Sequence, residues 1–370
     1  MSRKYDVSLV DKIKEKSYLG NYKGIDILYK PIPDVDIKGA VDPRLYKSMK
    51  KMAFMMRFIP KKMFKINEKT IKMVRKGFNK VDSTNFVLGI KEEKSTVLAQ
   101  DGYEIPITIF KKPKGLTNAP ILYYIHGGGF FAGNTGVVSE FIRYIVERTG
   151  IIAVSVDYRL APEHPYPIGH NDTYAVLEWI YNNASIIGGD NSNIFVAGDS
   201  AGGNLTVYCT NRSIREHKPY VKGQIVLYPT LNMGGIKDDF TEFSFDKFDI
   251  YDKQRKTIKP GLQMFASATD GLIAVLGTED IMNIDLTPYK EVSGNLPATM
   301  FSVGEHDTLI LETLGYAKKM IDLGLKPEFT VYKGMRHAYI DHMGNYPRAE
   351  DCAIDVGDFI LRISGLKNEK

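Results

Sequence analysis

Two glycine-rich turns are the first residues of this chain whose types and spacing could do chemistry. Gly198-Asp199-Ser200-Ala201-Gly202-Gly203 carries G-x-S-x-G directly after an apolar run and directly before a helical pattern. A turn that tight lifts a serine hydroxyl clear of the chain on strained backbone. Side chains at Gly198 and Gly202 would collide with the neighbouring strand and helix. The N–H of Ala201 would stand at a helix N-terminus, where free donors and the positive end of the helix dipole coincide. Alone, such a turn has a second reading, because glycine-rich strand-to-helix turns also bind phosphates. Earlier in the chain, His126-Gly127-Gly128-Gly129-Phe130 follows another apolar run. Its three glycines let the main chain approach a ligand with N–H groups uncovered. Together with the Ala201 amide they could hold the oxyanion of a tetrahedral intermediate, where loss of one donor typically costs roughly 2.7–4 kcal/mol. The spacing is not the G-x-G-x-x-G of a dinucleotide site. Both turns together, in this order, point to acyl transfer at Ser200, with amides of the glycine loop and of Ala201 as oxyanion donors. His126 reads as a structural residue that fixes the loop.

A serine hydroxyl is a poor nucleophile until a base takes its proton, and the base must be held in one tautomer by an acid. Choosing these partners requires the elements that position them. Residues 104–112 alternate as a strand, and 119–125, 151–158, 193–199, 224–229, 298–303 and 329–334 are short apolar runs. Between them lie helical patterns at 136–148, through Tyr174, Leu177 and Ile180, from Ala201, over 312–324 and near 347–363. Buried strands alternating with amphipathic helices predict an α/β chain with a mostly parallel central sheet flanked by helices. A serine on a strand-to-helix turn of such a sheet predicts the α/β-hydrolase fold, in which serine, acid and histidine follow in chain order. Of the seven histidines, His217, His306, His337 and His342 come after Ser200. His217 ends a helix, and His306 falls where the acid belongs. His337 follows the last strand pattern on a loop with Gly334 and is the expected base, with His342 as the alternative. The preceding strand runs into Val303-Gly304-Glu305-His306-Asp307-Thr308-Leu309, which makes Asp307 the expected acid. Glu305 and Glu312 are its rivals, and Glu312 reads better as the first turn of the next helix.

Two regions do not follow the alternation. Residues 1–85 read as helical, basic and methionine-rich, and residues 234–295 interrupt the series. The expected organisation is an N-terminal cap segment at 1–85, a catalytic domain at 86–233 and 296–370, and a cap insertion at 234–295. Net charge is +5, yet residues 44–80 hold thirteen Lys/Arg against one acid, leaving −7 elsewhere. The basic balance therefore belongs to one segment, and with no zinc spacing, phosphate loop or aromatic RNA-binding motif it does not suggest nucleic-acid binding. Within it Met49, Met52, Phe54, Met55, Met56, Phe58, Ile59, Met63 and Phe64 crowd between the cations, with Pro60 breaking the helical pattern. Three readings stand for this segment: the wall of an acyl pocket, a basic amphipathic contact with an anionic membrane surface, or plain packing on the body. Two cysteines, Cys209 and Cys352, exclude a disulfide framework and suit a reducing compartment. The N-terminus carries no apolar signal core and no stretch suffices for a membrane helix. The expectation is a soluble, cytoplasmic chain without integral membrane contact.

His126-Gly127-Gly128-Gly129 with Gly198-Asp199-Ser200-Ala201-Gly202-Gly203 resembles the hormone-sensitive lipase family of esterases, the group named for its HGGG and GDSAGG motifs. Asp157-Tyr158-Arg159-Leu160-Ala161-Pro162-Glu163-His164-Pro165-Tyr166-Pro167 is similar to that family's DYRLAPE-x-P-x-P stretch. The resemblance covers roughly residues 118–365. It implies a carboxylic ester hydrolase that needs no metal or cofactor, acts on a small-molecule ester with a short to medium acyl chain, and carries a helical cap from the N-terminus and an insertion. It also implies that Gly128 and Gly129 donate with Ala201, that Gly127 and Asp199 support the two turns, and that Asp157, Arg159 and Glu163 form a buried polar network beneath the elbow. A homodimer is compatible with it. The chain departs from the family at Asp307-Thr308-Leu309, where Asp-Pro-Leu is usual, and in its long N-terminal segment. An amidase or peptidase using the same three side chains remains open. So does a ligand-binding protein of the gibberellin-receptor kind, although that relative has replaced the base and here His337 and Asp307 are both present.

Overall fold

The computed structural model describes residues 3–56, 68–79, 87–266 and 269–366. Phe58, Ile59, Pro60, Met63 and Phe64 of the basic segment lie outside the described residues, as do the side chains of Met52, Phe54, Met55 and Met56. Among the described residues ten strands form one sheet in the order β1-β2-β10-β9-β8-β7-β5-β6-β4-β3. The strands are β1 (Tyr18–Tyr22), β2 (Ile25–Lys30), β3 (Lys91–Leu98), β4 (Glu104–Lys111), β5 (Ala119–Ile125), β6 (Ile152–Val156), β7 (Gly189–Asp199), β8 (Gly223–Leu227), β9 (Ala298–Gly304) and β10 (Glu328–Tyr332). From β2 through β10, β9, β8, β7 and β5 to β6 every pairing is parallel, and the outer pairs are antiparallel.

The sheet is covered on both faces, so its central strands are apolar throughout rather than alternating: every residue of β5, β6 and β8 is buried. The pleat divides β5 between two cores. Leu122 and Tyr124 pack with Phe141, Ile142 and Ile145 of α4 (Thr135–Thr149) and with α10 (Pro347–Ile363). Ile121, Tyr123 and Ile125 pack with Tyr174, Leu177 and Ile180 of α5 (Ile168–Asn183) and Leu205 and Tyr208 of α6 (Ala201–Arg215). Edge strand β3 is blunted by its charged sequence KEEKSTVL.

Residues 18–30 depart from the cap segment expected over 1–85. They form a hairpin whose second strand pairs parallel to β10, so this part of the N-terminus extends the sheet. Ile25 and Ile27 reach the core on alternate positions, and the connection turns through Lys23 and Gly24, both at positive φ. Lys23-Gly24 lacks the usual Asn-Gly signature, and six alternating residues are little signal inside a basic stretch. Lys30, buried at the end of β2, pairs with Asp351 and Asp355 of α10. The remaining helices are α1 (Ser8–Lys16), α2 (Pro43–Met56), α3 (Glu68–Phe78), α7 (Arg255–Ala266), α8 (Thr269–Leu276) and α9 (Leu309–Asp322). Among the described residues no helix is long and apolar enough to cross a membrane.

After β5 the chain builds outward through β6, then crosses back to β7 and continues through β8, β9 and β10. The carboxyl ends of β5 and β7 therefore flank a topological switch point, where a parallel sheet leaves a crevice. Ile125 pairs with Gly198, so the two glycine turns leave the sheet side by side.

Candidate active site

Ser200 stands between β7 and α6 at φ 55°, ψ −119°, a conformation disfavoured for a side-chain-bearing residue. It is held there by its own N–H donating to the carbonyl of Leu227 at 2.9 Å. The elbow closes only without side chains: a Cβ at Gly202 would strike the carbonyl of Ile125, and one at Gly198 would strike that of Gly202. The His126–Gly129 loop is tied to the same turn. Asp199 Oδ1 accepts from the Gly127 N–H at 3.0 Å and from the Tyr124 hydroxyl at 3.2 Å. Gly128 and Gly129 sit at φ 121° and 61°, and their amides donate to no protein acceptor among the described residues. His126 is buried, bonds through Nδ1 to the Gly127 carbonyl at 2.7 Å and stacks on Tyr158 at 4.4 Å. Burial pushes its pKa down, which favours the neutral ring.

The late strands bring the other two groups over the elbow. Asp307 leaves β9 on a short turn, and His337 leaves β10. The two loops pass so closely that a Cβ at Gly304 would lie 2.8 Å from the carbonyl of Met335. His337 Nε2 is 2.9 Å from Ser200 Oγ, and Nδ1 is 2.7 Å from Asp307 Oδ2. The second oxygen of Asp307 accepts from the Leu309 N–H at 3.0 Å, which fixes the carboxylate where the family's proline is missing. Tyr228 and Phe265 pack against the imidazole, with centroids at 4.9 and 4.8 Å.

The rival residues have other partners. Glu305 accepts from Lys333 at 2.6 Å and from the Gly334 N–H at 2.8 Å, bracing the loop that carries His337. Glu312 accepts from the Leu231 N–H at 2.7 Å, and burial raises its pKa to about 8. His306 is buried near the Ala40 carbonyl, and His342 packs on Tyr346.

The supporting set divides. Asp157 accepts from the Thr135 N–H at 2.6 Å and so caps α4. Arg159 forks onto Asp172, at 2.7 Å from Nη2, and reaches Asp101 at 2.6 Å. Glu163 corrects the expected buried network: its side chain is 53% exposed and pairs with Arg75 of α3 at 2.6 Å. Arg75 also donates to the carbonyls of Phe131 and Ala161, tying α3 to the loops after β5 and β6. The Asp157–Glu163 stretch curves outward, so its last acid meets a segment that cannot be paired with it from spacing alone.

Asp341 was not singled out in the sequence. Its Oδ1 is buried without a hydrogen-bond partner among the described residues, and burial together with the charge of Asp199 pushes its pKa well up. Burial likewise raises Asp199 to about 6, against the hydrogen bond from Gly127 and the attraction of His337. Arg336, beside His337, was missed as well, because an arginine in a loop carries no pattern.

A family model described as alpha/beta hydrolase fold matches residues 122–341. The chain belongs to this family. Within it the chain is of the hormone-sensitive-lipase-like type. Carboxylesterase NlhH of Mycobacterium tuberculosis is 31% identical over 262 residues, covering 71% of this chain and 79% of that protein. Among solved structures, the carboxylesterase EstE1 from a metagenomic library superposes with a TM-score of 0.66 at 25% identity, over 81% of this chain and 97% of that one. A thermostable esterase from Pseudomonas putida superposes with a TM-score of 0.71 over 90% of this chain and all of that one; at 20% identity this speaks to the fold.

Proposed function

We propose that this carboxylic ester hydrolase works through Ser200 as nucleophile, His337 as base and Asp307 as orienting acid, on esters with short to medium acyl chains. The observation that carries the reading is the continuous hydrogen-bonded line from Ser200 Oγ through both imidazole nitrogens to Asp307. Ser200 attacks the ester carbonyl carbon while His337 Nε2 takes its proton. The negative charge moves onto the carbonyl oxygen, which the Gly128, Gly129 and Ala201 amides receive. His337 then protonates the departing alcohol oxygen, the C–O bond breaks, and an acyl-serine remains. Water repeats the attack with the same base, releasing the acid and regenerating Ser200. Asp307 stabilises the imidazolium and keeps its own charge.

Helices α3, α7 and α8 supply a cap in this reading. Phe265 of α7 touches the base, Leu272 of α8 lies against Gly129, and Arg75 anchors α3 to the same rim. Turnover of a p-nitrophenyl acyl series by the native chain, with its loss in Ser200→Ala, tests the assignment. Full activity in Ser200→Ala would refute it.

A further inference from the structure

His337 lines a cavity of about 560 Å³. Its apolar surfaces come from Leu45 and Met49 of α2, Phe78 of α3 and Phe265 of α7. Its charge has a single sign. Lys4, Arg44, Lys47 and Arg336 line it, and no aspartate or glutamate does among the described residues. Arg44 is already engaged by Asp34 and Asp42. Arg336 is not: its guanidinium forms no ion pair or hydrogen bond among the described residues, although burial lowers its pKa. Asp307, whose charge it feels, is committed to His337 and the Leu309 N–H. A half-buried guanidinium with a free planar fork is matched to one kind of partner, a group with two anionic oxygens. Lys47, exposed one turn along α2 from Arg44, adds a second cation without a protein partner among the described residues.

Mechanism assigns this pocket to one half of an ester. The base hands its proton to the departing alcohol, so the alcohol leaves on the side of His337. The acyl oxygen faces Gly128 and Gly129, beside Phe131 and Leu272, and none of these four lines the cationic cavity. We propose that the site takes esters whose alcohol half carries a carboxylate or phosphate, received by Arg336 with Lys47 at the mouth. The proposal rests on the serine-esterase reading and adds the substrate class to it. It also gives a use to part of the basic segment: its local excess of positive charge would concentrate anionic esters at a chain otherwise net negative.

The test uses the whole chain and three butanoate esters, those of 4-hydroxybutanoate, of its neutral methyl ester and of 3-hydroxypropyl phosphate, with acid release followed in a pH-stat. The expected result is a kcat/KM at least about tenfold higher for one or both anionic esters than for the neutral one, shrinking as salt is added. Whichever anionic ester leads identifies the source of the charge. In Arg336→Gln and Arg336→Met the ratio should fall toward one, mainly through KM, which a purely structural arginine would not produce. Lys47→Gln, an exposed change that spares the core, should lower the ratio about two- to fivefold. A native ratio of one or less, a ratio unchanged in both Arg336 variants, or a preference confined to a charge on the acyl half (the 4-nitrophenyl monoester of glutarate against the pentanoate) would overturn the proposal. A neutral fluorophosphonate separates the two layers. Labelling of Ser200 without anion preference ends the substrate class alone, whereas a native chain that resists labelling ends the serine-esterase reading beneath it.

Discussion

Replacing Asp341 by asparagine should stabilise the protein at neutral pH and leave it nearly unchanged near pH 4. The cause is a pair of interacting buried carboxyls, Asp199 and Asp341. Asp199 is raised from 3.8 to about 6, chiefly by burial, and Asp341 is raised well above its ordinary value by burial and by the charge of Asp199. For an acid whose folded pKa exceeds its unfolded one, stability is greatest below the unfolded pKa. It is lost as pH rises toward the folded pKa, because the folded state then holds a proton that the unfolded chain has released. For Asp199 the gap of about 2 units corresponds to roughly 3 kcal/mol lost by pH 6–7. That loss is common to the native chain and the variant. Asp341 adds its own loss of about 1.4 kcal/mol per pH unit for as long as it stays protonated in the fold.

Asparagine is neutral at every pH, so Asp341→Asn removes this slope. The unsatisfied Oδ1 is polar in both proteins and largely cancels from the difference. Carboxyls with the opposite sign, such as Glu163, held at about 2 by Arg75, titrate alike in both and also drop out. The gain from the substitution should therefore grow by about 1.4 kcal/mol for each pH unit above the ordinary carboxyl range over which Asp341 stays protonated in the fold. At about 2 °C per kcal/mol for a chain this long, that is a relative rise of about 3 °C in Tm per such unit. Thermal melts and urea midpoints of the two proteins at pH 4, 5, 6 and 7 measure it. A difference that stays flat with pH, or falls, refutes the account of a mutually repelling buried pair.

Two further outcomes follow from the site. Asp307→Asn should lower kcat by roughly 10⁴-fold with the fold intact, because the amide cannot hold the imidazole in the required tautomer; steady-state turnover alongside circular dichroism checks both halves. Thr308→Pro should raise stability by about 0.4–1 kcal/mol with turnover kept. Thr308 has φ −66°, its N–H donates to no protein acceptor among the described residues, and its buried hydroxyl has no partner to lose. A fall in Tm would show that the turn after Asp307 needs the threonine backbone.

What could be read from the sequence was what a local pattern encodes. The apolar runs that became β5, β6, β7, β8, β9 and β10 are continuous because both faces of the sheet are covered, and that is visible in one dimension. The two glycine turns are visible for a similar reason, since a Cβ at Gly198 or Gly202 would strike backbone. Chain order then led to His337 and Asp307, and their side chains do lie within hydrogen-bonding reach of each other and of Ser200. The hairpin over residues 18–30 escaped because its alternation is short and its neighbours are helical. Glu163 was placed in a buried network by its position beside Asp157 and Arg159, yet burial depends on the path of a loop, and that path carries it to Arg75.

The residues that escaped altogether share a physical cause. Asp341 and Arg336 owe their properties to desolvation and to partners or their absence, and none of these is written in the residue or its neighbours. An arginine after Gly334-Met335 is unremarkable in the chain. In the fold Arg336 lines the cavity beside His337, where Asp307 is already engaged by that imidazole and Arg44 is paired with Asp34 and Asp42. The thirteen cations of residues 44–80 looked like one feature in the sequence. Among the described residues three of them divide by task. Arg75 secures α3 to the rim, Arg44 is neutralised by Asp34 and Asp42, and Lys47 is left to face the same cavity as Arg336. Net charge in a segment thus gives the supply of cations, and the pairing of each with an acid decides which remain to meet a ligand.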